Sequence, residues 1–162
     1  MSTRTWGVVA LACALPLILT GCGKEPVTID SPTVDAATAT ACRALLDVLP
    51  KTLDDQDKRL VSPADALGAA WGDPAIVVRC GVGKPAGLNR FSACQQADGV
   101  GYFLPPAQAD DSSTTITLTT LEYDPRLEVT VPPDYRPEGV AAAMAQLAGP
   151  VKAHFKLVHP CR

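Results

Sequence analysis

Between Ala75 and Val131 the apolar positions recur with the rhythm of strands, and on either side of that block they recur with the rhythm of helices. Ala75–Cys80 is an almost unbroken apolar run containing β-branched Ile76, Val77 and Val78, the pattern of a strand covered on both faces. Gly99–Leu104 predicts a second strand. In Thr114–Leu121, Ile116 and Leu118 alternate with Thr115, Thr117 and Thr119. In Arg126–Val131, Leu127, Val129 and Val131 alternate with Glu128 and Thr130. Such alternation turns one face to a core and one to water. Turn chemistry in EYDPR, Glu122 to Arg126, makes this last pair antiparallel.

Upstream, Cys42, Leu45, Leu46 and Leu49 are spaced i, i+3, i+4 and i+7. This predicts a helix capped by Asp35 and ended by Pro50. Downstream, Val140, Met144, Leu147, Val151 and Phe155 predict a helix opened by Pro137-Glu138, which Gly149-Pro150 should kink or split. The order helix, strands, helix indicates an α+β fold. The expected architecture is a single domain with a mainly antiparallel sheet of four to five strands and the two terminal helices packed on it.

The first 21 residues have a different character. Arg4 precedes an apolar stretch, Val8 to Leu19, too short to span a membrane and suited to a signal peptide. It closes on Leu19-Thr20-Gly21-Cys22, which resembles the lipobox of bacterial lipoproteins. That resemblance implies cleavage before Cys22 and attachment of lipid to its thiol. Two acyl chains, at about 0.8 kcal/mol per buried CH₂, hold a domain firmly on a membrane. The expected organisation is a lipoprotein signal peptide at 1–21, a flexible tether at 22–34 and the folded domain at 35–162. A coil of about a dozen residues spans ~20 Å root-mean-square, enough to lift the domain clear of headgroups. The location expected is extracytoplasmic, with the membrane as a partner through the N-terminal lipid.

Charge narrows the partners. Fourteen Lys and Arg face 17 Asp and Glu, a formal balance of −3 with the signs interleaved. This argues against nucleic acid and against an anionic lipid surface read by charge alone. Of six cysteines, Cys13 leaves with the leader and Cys22 carries the lipid. Cys42, Cys80, Cys94 and Cys161 remain for two disulfides in an oxidising compartment, with three possible pairings. Cys42 lies on the inward stripe of the first helix, where the end of the chain would dock. The expected bonds are therefore Cys42–Cys161 and Cys80–Cys94. No C-x-x-C or paired-histidine spacing supports a metal site.

Nothing in the sequence assembles a catalytic set. GVGKPAG, Gly81 to Gly87, fails as a dinucleotide fingerprint because its last glycine is late and Pro85 sits inside the turn; it is expected to be a mobile loop within the Cys80–Cys94 ring. LDDQDKR, Leu53 to Arg59, lacks the glycine and distal glutamate of a calcium loop and reads as a solvated connection. His154 and His159 stand five apart at the C-terminus, and Ser92, Ser112 and Ser113 carry no nucleophile elbow. The threonine row at 115, 117 and 119 suits a wet sheet face or, less simply, a glycan contact.

The stretch AAWGDPAIVVRCGV, Ala69 to Val82, follows a weakly helical approach at Pro63–Ala70. In it Gly72-Asp73-Pro74 is a turn, Trp71 is expected to be buried over the sheet, and Arg79 needs a carboxylate partner, for which Asp73 is one candidate. The alternative makes Trp71, Asp73 and Arg79 one exposed recognition patch. Together with the lipobox, the ALL helix around Cys42 and LEVTVP at Leu127–Pro132, this block resembles an actinobacterial family of short secreted lipoproteins classed as a domain of unknown function. The resemblance implies a lipid-anchored envelope protein and supplies neither catalytic residues nor a cofactor. The function expected is a non-enzymatic module that binds an envelope protein or wall component. The alternative is a small envelope hydrolase, or an accessory subunit of a cell-wall enzyme.

Overall fold

The computed structural model describes residues 24–158. The leader, Cys22, His159 and Cys161 lie outside the described residues. Along the chain come β1 (Val27–Thr28), α1 (Ala36–Val48), β2 (Thr52–Leu53), β3 (Gln56–Arg59), β4 (Val61–Ser62), β5 (Gly68–Trp71) and β6 (Ile76–Val82). There follow β7 (Gln95–Ala97), β8 (Val100–Phe103), α2 (Pro106–Ala109), β9 (Ile116–Thr120), β10 (Tyr123–Asp124), β11 (Arg126–Val131), α3 (Glu138–His154) and β12 (Lys156–Leu157). Eight strands form one antiparallel sheet in the order β2-β3-β5-β6-β11-β9-β8-β7. The helices α1 and α3 touch each other and lie on one face of it.

The inner face carries the predicted alternation. Ile76, Val78 and Cys80 of β6, Leu127, Val129 and Val131 of β11, and Ile116 and Leu118 of β9 are all buried. Cys42 and Leu45 of α1 and its C-cap Leu49 meet them from above, as do Ala143, Leu147 and Val151 of α3. Tyr102 of β8 is buried beneath α3 and donates to the Met144 carbonyl at 3.0 Å. Burial pushes its phenol well above the usual tyrosine range. Asp35 caps α1 as its position predicts, its carboxylate accepting the Thr38 N–H at 2.7 Å.

The sheet has more strands than the sequence predicts, and the additional ones are short or polar. LDDQDKR is a hairpin at the sheet edge, with Asp54 and Asp55 at positive φ in its turn. Desolvation and the neighbouring charges of Asp55 and Glu138 raise the Asp54 carboxyl above its ordinary range. The residues before Trp71 are a strand, since Gly68–Trp71 pairs with both β3 and β6. α3 also runs unbroken through Pro150. Proline withholds an N–H from the Gln146 carbonyl, but Gln146 is exposed and water can serve it, while Leu147, Ala148 and Val151 hold the inner side.

Two further corrections concern the ends of the chain. Residues 24–34, expected to be part of a tether, lie packed along the fold. β1 pairs in parallel with β4, Ile29 is 2 % exposed, and the Ser31 hydroxyl accepts the Leu67 N–H at 2.8 Å. The disulfide pairing also differs, because Cys42 bonds Cys80 across a Cα–Cα distance of 5.6 Å. Cys80 points to the helix face, where Cys42 already stands. Cys94 precedes β7, four places along the sheet from β6, or ~19 Å at the usual strand spacing. That is far beyond the ~7 Å a disulfide can bridge. Cys94 is itself disulfide-bonded. The expected ring does not form, because residues 83–94 cross the sheet instead of turning back.

Peptide mapping without reductant should therefore recover Cys42 with Cys80, and Cys94 with Cys161, the cysteine that remains once Cys22 carries lipid. Replacing Cys42 and Cys80 together by serine opens a loop of 38 residues. On the loop-entropy model this should lower stability by about 4 kcal/mol, read by urea denaturation.

Candidate binding cleft on the open face of the sheet

The face turned away from the helices presents the alternate residues of each strand. Register places Gly68, Arg79, Glu128, Thr119 and Phe103 in one row across β5, β6, β11, β9 and β8. Arg79 gives two hydrogen bonds to Oε1 of Glu128, from Nε at 2.9 Å and from Nη2 at 2.5 Å. The pair is partly shielded, with Glu128 16 % and Arg79 36 % exposed. A guanidinium within a sheet needs such a partner, and a directly opposite cross-strand residue supplies it.

Beside this row β8 peels away from β9. Their pairing stops at Phe103, and Pro105 and Pro106 follow, neither with an N–H to give a ladder. The Thr117 N–H, left without a strand, donates to Oε1 of Gln108 on α2 at 2.9 Å. The gap is a cleft of about 300 Å³. Thr117, Thr119 and the Glu128 carboxyl give it a polar lining, and Phe103, Pro105, Pro85 and Ala86 an apolar one. Pro85 and Ala86 come from the segment crossing the sheet between β6 and β7. The GVGKPAG stretch is thus a wall of the cleft and not part of a small disulfide ring.

Chemically the cleft offers a carboxylate acceptor, two hydroxyls that donate or accept, and apolar side chains beside them. Glu128 disfavours an anionic ligand. The volume lies at the lower end for small-molecule sites, so one small unit fits. A second cavity of about 220 Å³, between α3 and β9, is apolar except for Arg136, whose guanidinium donates to the carbonyls of Gln108, Ala109, Asp111 and Thr114. Its Nη1 and Nη2 donors hold the fold together, while its buried Nε makes no hydrogen bond.

The residues singled out in the sequence fall in different places. Trp71 is fully buried on the helix face, where Nε1 donates to the Pro50 carbonyl at 3.1 Å. Arg79 is on the opposite face, paired with Glu128 and not with Asp73. Asp73 is exposed in the β5–β6 turn and lies 3.5 Å from Lys24. The three form no common patch. Gly72 has φ +77, and the Tyr135 hydroxyl clamps the turn, accepting the Asp73 N–H at 3.1 Å and donating to the Pro74 carbonyl at 2.8 Å. The threonine row is not simply wet, since Thr119 is 2 % exposed. Glu128 appears in the sequence only as the polar partner in an alternating strand.

His154 ends α3, the Ser113 hydroxyl donates to Asp111, and the Ser92 hydroxyl accepts the Asn89 N–H. None of the three cavities lined by Asp65, Glu128 or Arg136 is lined by these histidine and serine side chains, and among the described residues no group of three His, Cys, Asp or Glu could hold a metal ion. No helix among them is long and apolar enough to cross a membrane.

Truncation of Trp71 to alanine removes the largest buried side chain and a hydrogen bond to the end of α1. It should cost ~3–5 kcal/mol, measured by urea denaturation of the oxidised protein.

No curated protein and no solved structure matches the chain. A family model described as a protein of unknown function (DUF3515) matches residues 5–159, and the chain belongs to that family.

Proposed function

We propose that this protein is a lipid-anchored, extracytoplasmic binding module, and that the cleft between β8 and β9 takes a neutral, hydroxylated unit of the cell envelope such as a sugar of the wall. The observation that carries this reading is the mixed lining of one cleft. Thr117, Thr119 and Glu128 offer hydrogen-bonding groups beside apolar Phe103 and Pro105. A sugar ring has polar edges and apolar faces, and such a lining meets both. Arg79 holds the carboxylate in place, so the acceptor is oriented before a ligand arrives. The anchor rests on Leu19-Thr20-Gly21-Cys22.

Two measurements test this. Titration with an N-acetylglucosamine disaccharide, followed by calorimetry or NMR, should show saturable binding. Thr119→Val preserves side-chain shape, and Glu128→Gln keeps a polar group beside Arg79. Each should weaken binding about tenfold, the worth of roughly one hydrogen bond. Absence of saturable binding, or affinity unchanged from the native chain in both variants, counts against the cleft as the site. Separately, metabolic labelling with a fatty-acid analogue should mark the native chain and not Cys22→Ala. Label retained in the variant would show that the acceptor lies elsewhere.

A further inference from the structure

Of the described aromatic side chains, Trp71, Tyr102, Phe103, Tyr123 and Phe155 are buried and Tyr135 is half-buried. Phe91 alone among them is exposed, at 82 %. It belongs to the segment that crosses the sheet between β6 and β7, and the stretch around it starts and ends at the cleft. At one end, a Cβ built on Gly87 would stand 4.0 Å from Phe103 Cζ, and Pro85 and Ala86 just before it line the cleft. At the other end, Gln95 pairs with Tyr102, the residue before Phe103, and Cys94 beside it is held by a disulfide. The chain from Gly87 to Cys94 thus leaves Phe103 and returns to the same strand, with Phe91 midway.

Local hydrogen bonds hold Phe91 in place without burying it. The Asn89 carboxamide donates to the Gly87 carbonyl at 3.1 Å and accepts the Phe91 N–H at 2.9 Å. The Ser92 hydroxyl accepts the Asn89 N–H at 3.0 Å, and the Ser92 N–H donates to the Asn89 carbonyl at 3.1 Å. The Arg90 guanidinium lies over the Phe91 ring, 4.6 Å from its centre. One face of the ring therefore carries a cation and the other is open to water.

We infer that Phe91 is an outer contact of the cleft, on which the neighbouring unit of a glycan strand stacks, so that the site takes an oligosaccharide and not a free monosaccharide. This rests on the cleft reading proposed above. A cleft of about 300 Å³ holds one small unit, so the next unit of a strand lies outside it. A flat apolar ring beside the opening gives that unit a surface for its own apolar face. Thr117, Thr119 and Glu128 then select the unit inside, while Phe91 rewards the length of the ligand. Joining the two contacts in one molecule raises affinity without any new hydrogen bond.

The test titrates the full chain, disulfides intact and in detergent, with N-acetylglucosamine and its di-, tri- and tetrasaccharide. The native chain should bind the longer ligands about tenfold more tightly than the monosaccharide. Phe91→Ala should bind all of them as weakly as the monosaccharide, whose own affinity stays unchanged. Phe91→Trp should keep the gain with length, and Phe91→Leu, apolar but not flat, should lose it. Because the ring is exposed, all three variants should keep the native midpoint in urea. No gain in the native chain, or a gain that survives in Phe91→Ala, overturns the outer contact and leaves the cleft standing. Monosaccharide binding lost in Phe91→Ala also overturns it, since the ring would then act inside the cleft. Absence of saturable binding by every saccharide overturns the cleft reading and this one together. A dimer of the native chain that Phe91→Ala dissociates would show that a second copy covers the ring, and would overturn the inference as well.

Discussion

The fold depends on how closely α1 approaches β6, and Gly81 sets that distance. At Gly81 the register of β6 against β11 shifts, and the backbone takes φ +84. A Cβ there would stand 2.7 Å from Val34 Cγ1 and 3.3 Å from Thr38 Cγ2. A side chain is excluded both by the conformation and by the helix above it. With that residue missing, α1 settles onto the sheet and Cys42 reaches Cys80. The bulge thus precedes the disulfide in the logic of the structure, and the covalent bond secures an approach that the backbone has already made possible. Upstream of the bulge, the alternation of β6 is fixed: Ile76, Val78 and Cys80 face the helices, Val77 and Arg79 the open side.

From this follows the chemistry of the open face. Once Arg79 is committed outward beside β11, its opposite residue must satisfy it, and Glu128 is that residue. The next strand then brings Thr119 opposite Glu128, and the one after brings Phe103 opposite Thr119. A row of charged, polar and aromatic groups crosses the sheet because strand register requires it. The cleft forms where the row meets Pro105, since a strand without N–H groups cannot stay paired. Backbone chemistry opens the space, and side-chain register decides what lines it.

How much of this could be read beforehand follows the strength of burial. β6, β9 and β11 lie in the middle of the sheet, and their hydrophobic alternation predicts them within a residue or two. α1 and its Asp35 cap are equally legible, as is the start of α3. The strands β3 and β7 are polar, β3 next to one border of the sheet and β7 at the other, so their pairing leaves almost no mark on hydrophobicity. β5 is hidden differently: Gly68 has no side chain because Ile29 packs against that position. The Cys80–Cys94 expectation failed because 14 residues of separation suggest a short loop, while the chain between them crosses four strand positions. For the same reason the cleft was invisible. Its two walls come from segments brought together only by that crossing, and Glu128 and Thr119 read individually as the wet half of alternating strands.

The packed N-terminal segment joins these arguments. Gly68 has no side chain, and Ile29 fills that place against it, so the chain before α1 must lie along β4 and β5. Arg59 then ties both the incoming Glu25 and the turn residue Gly72 to one guanidinium. The turn in AAWGDP is therefore fixed from two sides, by Arg59 and by the Tyr135 hydroxyl, and the entry of the chain is fixed to it. An attachment at this point leaves little freedom of rotation, because the bonds to the Glu25, Leu60 and Ser62 carbonyls and the Lys24–Asp73 ion pair would have to be given up for the segment to come loose. Solvated exchange would replace each of those bonds at modest net cost, but the buried Ile29 and the parallel pairing of β1 would be lost with them. Detaching the segment means unfolding one edge of the domain, and this makes the entry point a structural corner and not a hinge.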